Sequence, residues 1–227
     1  MRANRAELVG IIERGDSGAI LRALRDPSIG ERLLRRIVSL LYSSEPEKKW
    51  QGVSALGVVF GAGGLGGDKL DRQVQRLIWA MNDESGAVPY GIPEALGELV
   101  AVRPELRAQI LPLLVSYLVE HELFQTGPIL AGAIWALGRV GIEEPEERRR
   151  VLPGLAAALS DDGSEVRGAA LWTLSRLGLA GLAAAEIRAC LRDRGRACLL
   201  IDGRIEEIGV AELARRALDG LVPSASS

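Results

Sequence analysis

Several residues of this 227-residue chain have types and spacings that could do chemistry. Asp83, Glu84, Glu94 and Glu98 form an acidic group around one loop. Paired carboxylates can pass protons to and from a substrate or hold a hard cation. The same residues serve equally well to end a helix and solvate a turn. Trp50, Tyr90, Glu94, Glu98, Trp135, Arg139, Trp172 and Arg176 form a second group. Indoles, phenols and guanidiniums are the side chains most favoured where proteins bind one another.

Other sites are excluded by count or spacing. His121 is the sole histidine, so a multi-histidine metal centre lacks its parts, and a Ser-His-Asp relay would have to use His121, which no catalytic motif flanks. It reads as a cation near a helix C-terminus. Cys190 and Cys198 have the spacing of neither a zinc site nor a redox pair,. They read as reduced thiols and suggest a cytoplasmic chain. The string Gly61-Ala62-Gly63-Gly64-Leu65-Gly66 satisfies a dinucleotide fingerprint, with Asp83 about 20 residues on,. A real site needs a preceding strand and a parallel sheet, and none is indicated, so the string reads as a linker. Gly67 and Asp68 stand where a P-loop needs Lys and Ser or Thr. No cofactor, metal or catalytic residue is assigned.

The elements that must position these residues come from a repeat. Ala-Leu-Gly recurs at Ala55-Leu56-Gly57, Ala95-Leu96-Gly97 and Ala136-Leu137-Gly138, with a relaxed copy at Thr173-Leu174-Ser175. The leucines are 40, 41 and 37 residues apart. A period near 40 predicts stacked helix pairs, each too small to bury its own apolar side. The fold expected is all-α, an α-α superhelix. Helix pairs are predicted at 31–41 and 46–60, 71–81 and 92–102, 105–119 and 128–140, and 145–159 and 164–177. Residues 1–29 are expected to form N-terminal capping helices and 30–197 the repeats. Residues 198–222 are expected to form a β-hairpin, turned at Asp202-Gly203, and a C-terminal capping helix. The tail 223–227 is expected to be disordered.

With each repeat leucine at 0° and 100° per residue, positions −2 and +2 lie about 160° away. Together with position −6 they form a row predicted to face outward. That row reads Trp50, Ser54, Val58; Tyr90, Glu94, Glu98; Ala131, Trp135, Arg139; and Gly168, Trp172, Arg176. If the second helices line a concave wall, these side chains form a binding surface. Packing between repeats is the alternative explanation.

The Ala-Leu-Gly pattern, the ~40-residue period and the turn Ser160-Asp-Asp-Gly-Ser-Glu-Val-Arg-Gly-Ala-Ala170 resemble HEAT-like repeats of the phycobilin-lyase type. The stretch 82–98 is also similar to a block of bacterial HEAT-repeat proteins of unknown activity. The resemblance covers about residues 30–180. It implies a HEAT-like solenoid and leaves function open, because scaffolds, lyases, hydroxylases and glycosylases share it.

Composition narrows the choice. The chain is 48% hydrophobic, 26% charged and 4% aromatic, with net charge −2. That is an ordinary folded protein without the basic excess of a nucleic-acid binder. No stretch is apolar enough to span a membrane. A non-enzymatic scaffold holding a protein partner on its concave face is the favoured function, with enzymatic activity left open. A handler of a small planar ligand, resembling phycobilin lyases, is the alternative. A HEAT-like DNA glycosylase stands third, against the charge.

Overall fold

The computed structural model describes residues 5–61, 67–81, 90–120 and 127–220, without the side chains of 5, 6, 67 and 70. The acidic residues Asp83 and Glu84, the glycine string 62–66, His121 and the tail lie outside the described residues. Contacts divide the chain into two units. One comprises Met1–Ile110 with Asp202–Ile205, the other Leu111–Ile201 with Glu206–Ser227.

The first unit begins with α1 (Arg5–Glu13), α2 (Ser17–Leu24) and α3 (Pro27–Leu40). The sequence suggests that α3 starts near Glu31, with Pro27 as a stop. Instead Pro27 opens the helix. Asp26 caps it, its Oδ1 accepting from the backbone N–H groups of Ser28 and Ile29 at 2.9 and 3.3 Å. Proline suits the first helical position because its missing N–H would have no partner there. Then come α4 (Pro46–Gly61), α5 (Gly67–Met81) and α6 (Ile92–Val102). In this unit α4 packs on α3 and α6, α5 packs on α6, and α1 and α2 lie against α4. The core holds Leu33, Ile37, Val53, Leu56, Phe60, Leu77 and Leu96.

The second unit holds α7 (Arg107–Val119) from Leu111 on, α8 (Gly127–Val140), α9 (Pro145–Ala158) and α10 (Ser164–Arg176). A short α11 (Ala184–Ala189) leads to β1 (Arg196–Ile201), β2 (Arg204–Gly209) and α12 (Val210–Asp219). Asp202 and Gly203, with φ of 47° and 79°, make the tight two-residue turn that the Asp-Gly pair predicts,. The helix α10 is the hub, packing on α8, α9, α12 and β1. The all-α class with one small two-stranded sheet agrees with the sequence reading.

Candidate functional site

The repeat glycines set the site because they let second helices approach closely. A Cβ on Gly57 of α4 would stand 2.6 Å from Glu98 Oε1 of α6. A Cβ on Gly138 of α8 would stand 2.7 Å from the Trp172 ring and from Thr173 Oγ1 of α10. Glycine removes those clashes. At the second crossing the Thr173 hydroxyl then donates to the Ile134 carbonyl at 2.8 Å. Positions ±2 from the repeat leucine are therefore where one second helix meets the next.

This corrects the outward row. Trp50, Glu94, Glu98 and Trp135 are buried. The wheel gives a direction relative to the repeat's own leucine, and it does not say what covers the opposite side. In the first unit α1 and α2 cover α4. In the second, β1 and α12 cover α10, and a Cβ at Gly168 would lie 2.5 Å from the Ala197 methyl. Of the eight residues, Tyr90 and Arg176 are exposed, while Trp172 and Arg139 are half-buried.

In the first unit the buried row holds an ion pair. Lys49 Nζ donates to Glu94 Oε1 at 2.5 Å and lies 4.5 Å from the centre of the Trp50 ring. Burial pushes the Glu94 carboxyl above the ordinary carboxylate range, against the pull of Lys49. Its second oxygen, Oε2, is buried without a hydrogen-bond partner among the described residues. A carboxylate buried away from bulk solvent holds a proton more readily than a surface one. Beside it, Gly91 N donates to the Leu41 carbonyl at 2.8 Å, fixing the backbone next to Tyr90.

In the second unit the row is aromatic. Trp135 and Trp172 stack with ring centres 5.6 Å apart and 10° between planes. The Arg176 guanidinium lies 5.9 Å from the centre of the Trp172 ring. Trp135 Nε1 donates to the Leu200 carbonyl of β1 at 3.0 Å. That bond satisfies the one polar atom of a buried indole and ties the strand to α8. The first strand is also held by the start of α10. Ser164 Oγ donates to the Arg196 carbonyl at 2.6 Å, and the Glu165 carboxylate accepts from Cys198 N at 3.1 and 3.2 Å. Arg167 forms a two-point pair with Asp193, at 2.6 and 3.0 Å, and bonds the carbonyls of Asp161 and Asp162. The hydrogen bond to Arg167 holds the Asp193 carboxyl below its ordinary range. The aspartate-rich turn therefore anchors the hairpin.

The sequence reading missed the most exposed indole. Trp79 is 75% exposed on α5, and Tyr42, just past α3, is 58% exposed. The same wheel applied to first helices finds Trp79. On α5 the buried apolar residues are Val74, Leu77, Ile78 and Met81, and Trp79 falls about 140° from Val74.

Among the described residues, no group of His, Cys, Asp and Glu could hold a metal ion, and no helix is long and apolar enough to cross a membrane. Residues 128–177, which run from the second residue of α8 through α9 to just past the end of α10, match the HEAT-like repeat family. No curated protein matches the chain. Two engineered proteins solved by the Northeast Structural Genomics Consortium share its fold. One is 19% identical with a TM-score of 0.53, over 92% of this chain and 88% of that one. The other is 20% identical with a TM-score of 0.54, over 95% and 87%. Computationally designed armadillo repeat proteins for modular peptide recognition align at 16% identity and a TM-score of 0.49, over 96% and 94%. In fold the chain is similar to the two engineered proteins, and over 128–177 it is similar to HEAT-like repeats.

Proposed function

We propose that this chain is a non-enzymatic scaffold that holds a protein partner, with Trp172, Arg176 and Arg139 as contact groups on the second unit. Tyr90 is a separate contact group on the first. Trp50, Glu94, Glu98 and Trp135 support these groups from beneath. The observation that carries the reading is the Arg176–Trp172–Trp135 stack. Its inner indole is buried and hydrogen-bonded, and its outer cation is exposed. A surface already ordered in this way loses little freedom on binding. An aromatic ring and an arginine in one patch are the usual energetic anchors of a protein interface.

The test is capture of partners by the full chain from its source organism, compared with the Trp172→Ala/Arg176→Glu variant. At least one protein should be retained by the wild type and fall at least about tenfold with the variant, while circular dichroism stays the same. Identical retained sets would remove the reading.

The planar-ligand alternative, drawn from the phycobilin-lyase resemblance, is favoured by one observation. The Glu94 carboxyl is buried, its pKa is raised by that burial, and its Oε2 has no hydrogen-bond partner among the described residues. A shift in the absorption spectrum of a bilin or haem on titration, lost in Glu94→Gln, would favour it over the scaffold.

A further inference from the structure

We propose that the groove between α3 and α5 is a docking site for an acidic amphipathic helix of a partner protein. This goes beyond the surface proposed above and uses different helices. The groove encloses about 430 Å³, within the range of pockets that take apolar anchors. Leu34, Val38, Leu77, Ala80 and Ile92 give it an apolar floor. Leu34, Val38 and Ala80 remain half-exposed there, giving the groove an accessible apolar patch,.

The rim sets the sign of the partner. The lining includes Arg35, Lys69, Arg72 and Arg76 against a single carboxylate, Glu31, a surplus of three positive charges in a chain whose net charge is −2. Glu31 is already engaged, pairing with Lys69 at 3.1 Å across the groove. Arg72 and Arg76 are exposed and have no ion-pair partner among the described residues. Tyr42 belongs to the lining and stands 58% exposed. Trp79 falls about 20° round α5 from Arg72, so an exposed indole flanks the basic edge.

The shape selects a helix. The α5 residues facing the groove are Lys69, Arg72, Gln73, Arg76, Leu77 and Ala80. They form one straight face about 16 Å long, three helical turns. An apolar floor with a strongly basic α5 edge, and Arg35 on the α3 side, suits a helix with apolar residues at i, i+3, i+4 and i+7 and carboxylates on its flanks,. Nucleic acid would use the cations and leave the aliphatic floor unpaired.

The test uses the full chain and a fluorescein-labelled helical peptide with leucines at i, i+3, i+4 and i+7 and glutamates on both flanks. Anisotropy should report saturable binding that weakens as salt rises. Arg72→Glu/Arg76→Glu should weaken it at least about tenfold, since it reverses two exposed charges at the rim. Leu34→Glu, which spoils the floor and leaves the rim cations, should do the same. A peptide with lysine flanks should bind at least about tenfold more weakly than the glutamate one. Trp172→Ala/Arg176→Glu should leave peptide affinity unchanged, which separates this groove from the surface proposed above. The proposal is overturned if no binding is seen at about 100 μM, or if the lysine peptide binds equally. It is also overturned if the loss follows Trp172 and Arg176, or if a short DNA duplex binds through Arg72 and Arg76 where the acidic peptide does not.

Discussion

The crossing of α4 with α6 and the crossing of α8 with α10 are built on the same sequence position and filled with opposite chemistry. Each has the glycine of Ala-Leu-Gly at its point of closest approach. Over Gly57 lies the side chain of Glu98, with the Lys49–Glu94 pair buried nearby. Over Gly138 lie the Trp172 ring and the Thr173 backbone, with Trp135 stacked beside them. The repeat therefore fixes distance between helices and leaves the content of the contact free. A flexible carboxylate can yield at the first crossing. A ring and a helix backbone cannot yield at the second.

The largest expected effect comes from removing the rigid element. Trp135→Ala should cost about 3–5 kcal/mol, because it empties a large buried volume and strips the Leu200 carbonyl of its donor. Chemical denaturation measures the loss. Amide exchange should speed up along β1, which the indole ties down. Trp135→Phe keeps most of the volume and should cost less, with the exchange still faster than wild type. If Trp135→Ala costs under about 1 kcal/mol, the stack is not the keystone of the second crossing.

At the first crossing the comparable test is electrostatic. Lys49→Ala leaves the Glu94 carboxylate buried without its cation and should cost about 3 kcal/mol near pH 7. Glu94→Gln removes the buried carboxylate but leaves Lys49 without its partner, and its effect should depend on pH,. Folding raises the Glu94 pKa above the unfolded value of about 4.3,. The folded state then binds the proton more tightly, so the stability linked to Glu94 is full below that value. It is lost as pH rises through the folded pKa. Relative to wild type, Glu94→Gln should gain stability as pH rises from about 4.3 to the folded pKa of Glu94, and level off above it. Melting temperatures of both chains across that range provide the measurement, and parallel curves would contradict the burial argument.

The glycines themselves test the comparison most directly. Helical Gly→Ala gains about 1 kcal/mol of helix propensity. Against that gain, Gly57→Ala meets only the movable Glu98 side chain, and the net change should stay within about 1 kcal/mol. Gly138→Ala meets the Trp172 ring and Thr173, whose Cα lies only 3.1 Å from the new methyl. It should destabilise by about 1–3 kcal/mol through overpacking. Equal effects at both sites would mean that the two crossings are equally compliant.

Much of this was legible in the sequence, for reasons that also mark the limit. Apolar periodicity and the Ala-Leu-Gly spacing gave α6 at Ile92–Val102 and α8 to within a residue. The Asp202-Gly203 pair located the hairpin turn. Pro27 misled because proline both ends and begins helices, and only the cap at Asp26 distinguishes them,. The ±2 row misled more deeply. Helical geometry says which residues share a side, and the cover on that side comes from distant sequence: Leu200 for Trp135 and Ala197 for Gly168. Trp79 lies on a first helix, outside the Ala-Leu-Gly motif, where only the apolar periodicity of α5 marks it as outward-facing,.

The smallest effect separates support from contact. Arg176 is exposed and its guanidinium stands over the Trp172 ring. An exposed cation–π contact contributes about 0.5–1 kcal/mol, so Arg176→Ala should barely move the denaturation midpoint. Trp135, deeper in the same stack, should dominate stability. If Arg176 exists for contact with a partner, the ranking reverses in a binding assay. There Arg176→Ala should weaken capture at least about tenfold, while Arg176→Lys, which keeps the charge and loses the planar face, should recover only part of it. A variant that costs stability and spares binding would instead make Arg176 a clamp on the stack, and the outer end of the second crossing would then be packing like the inner one.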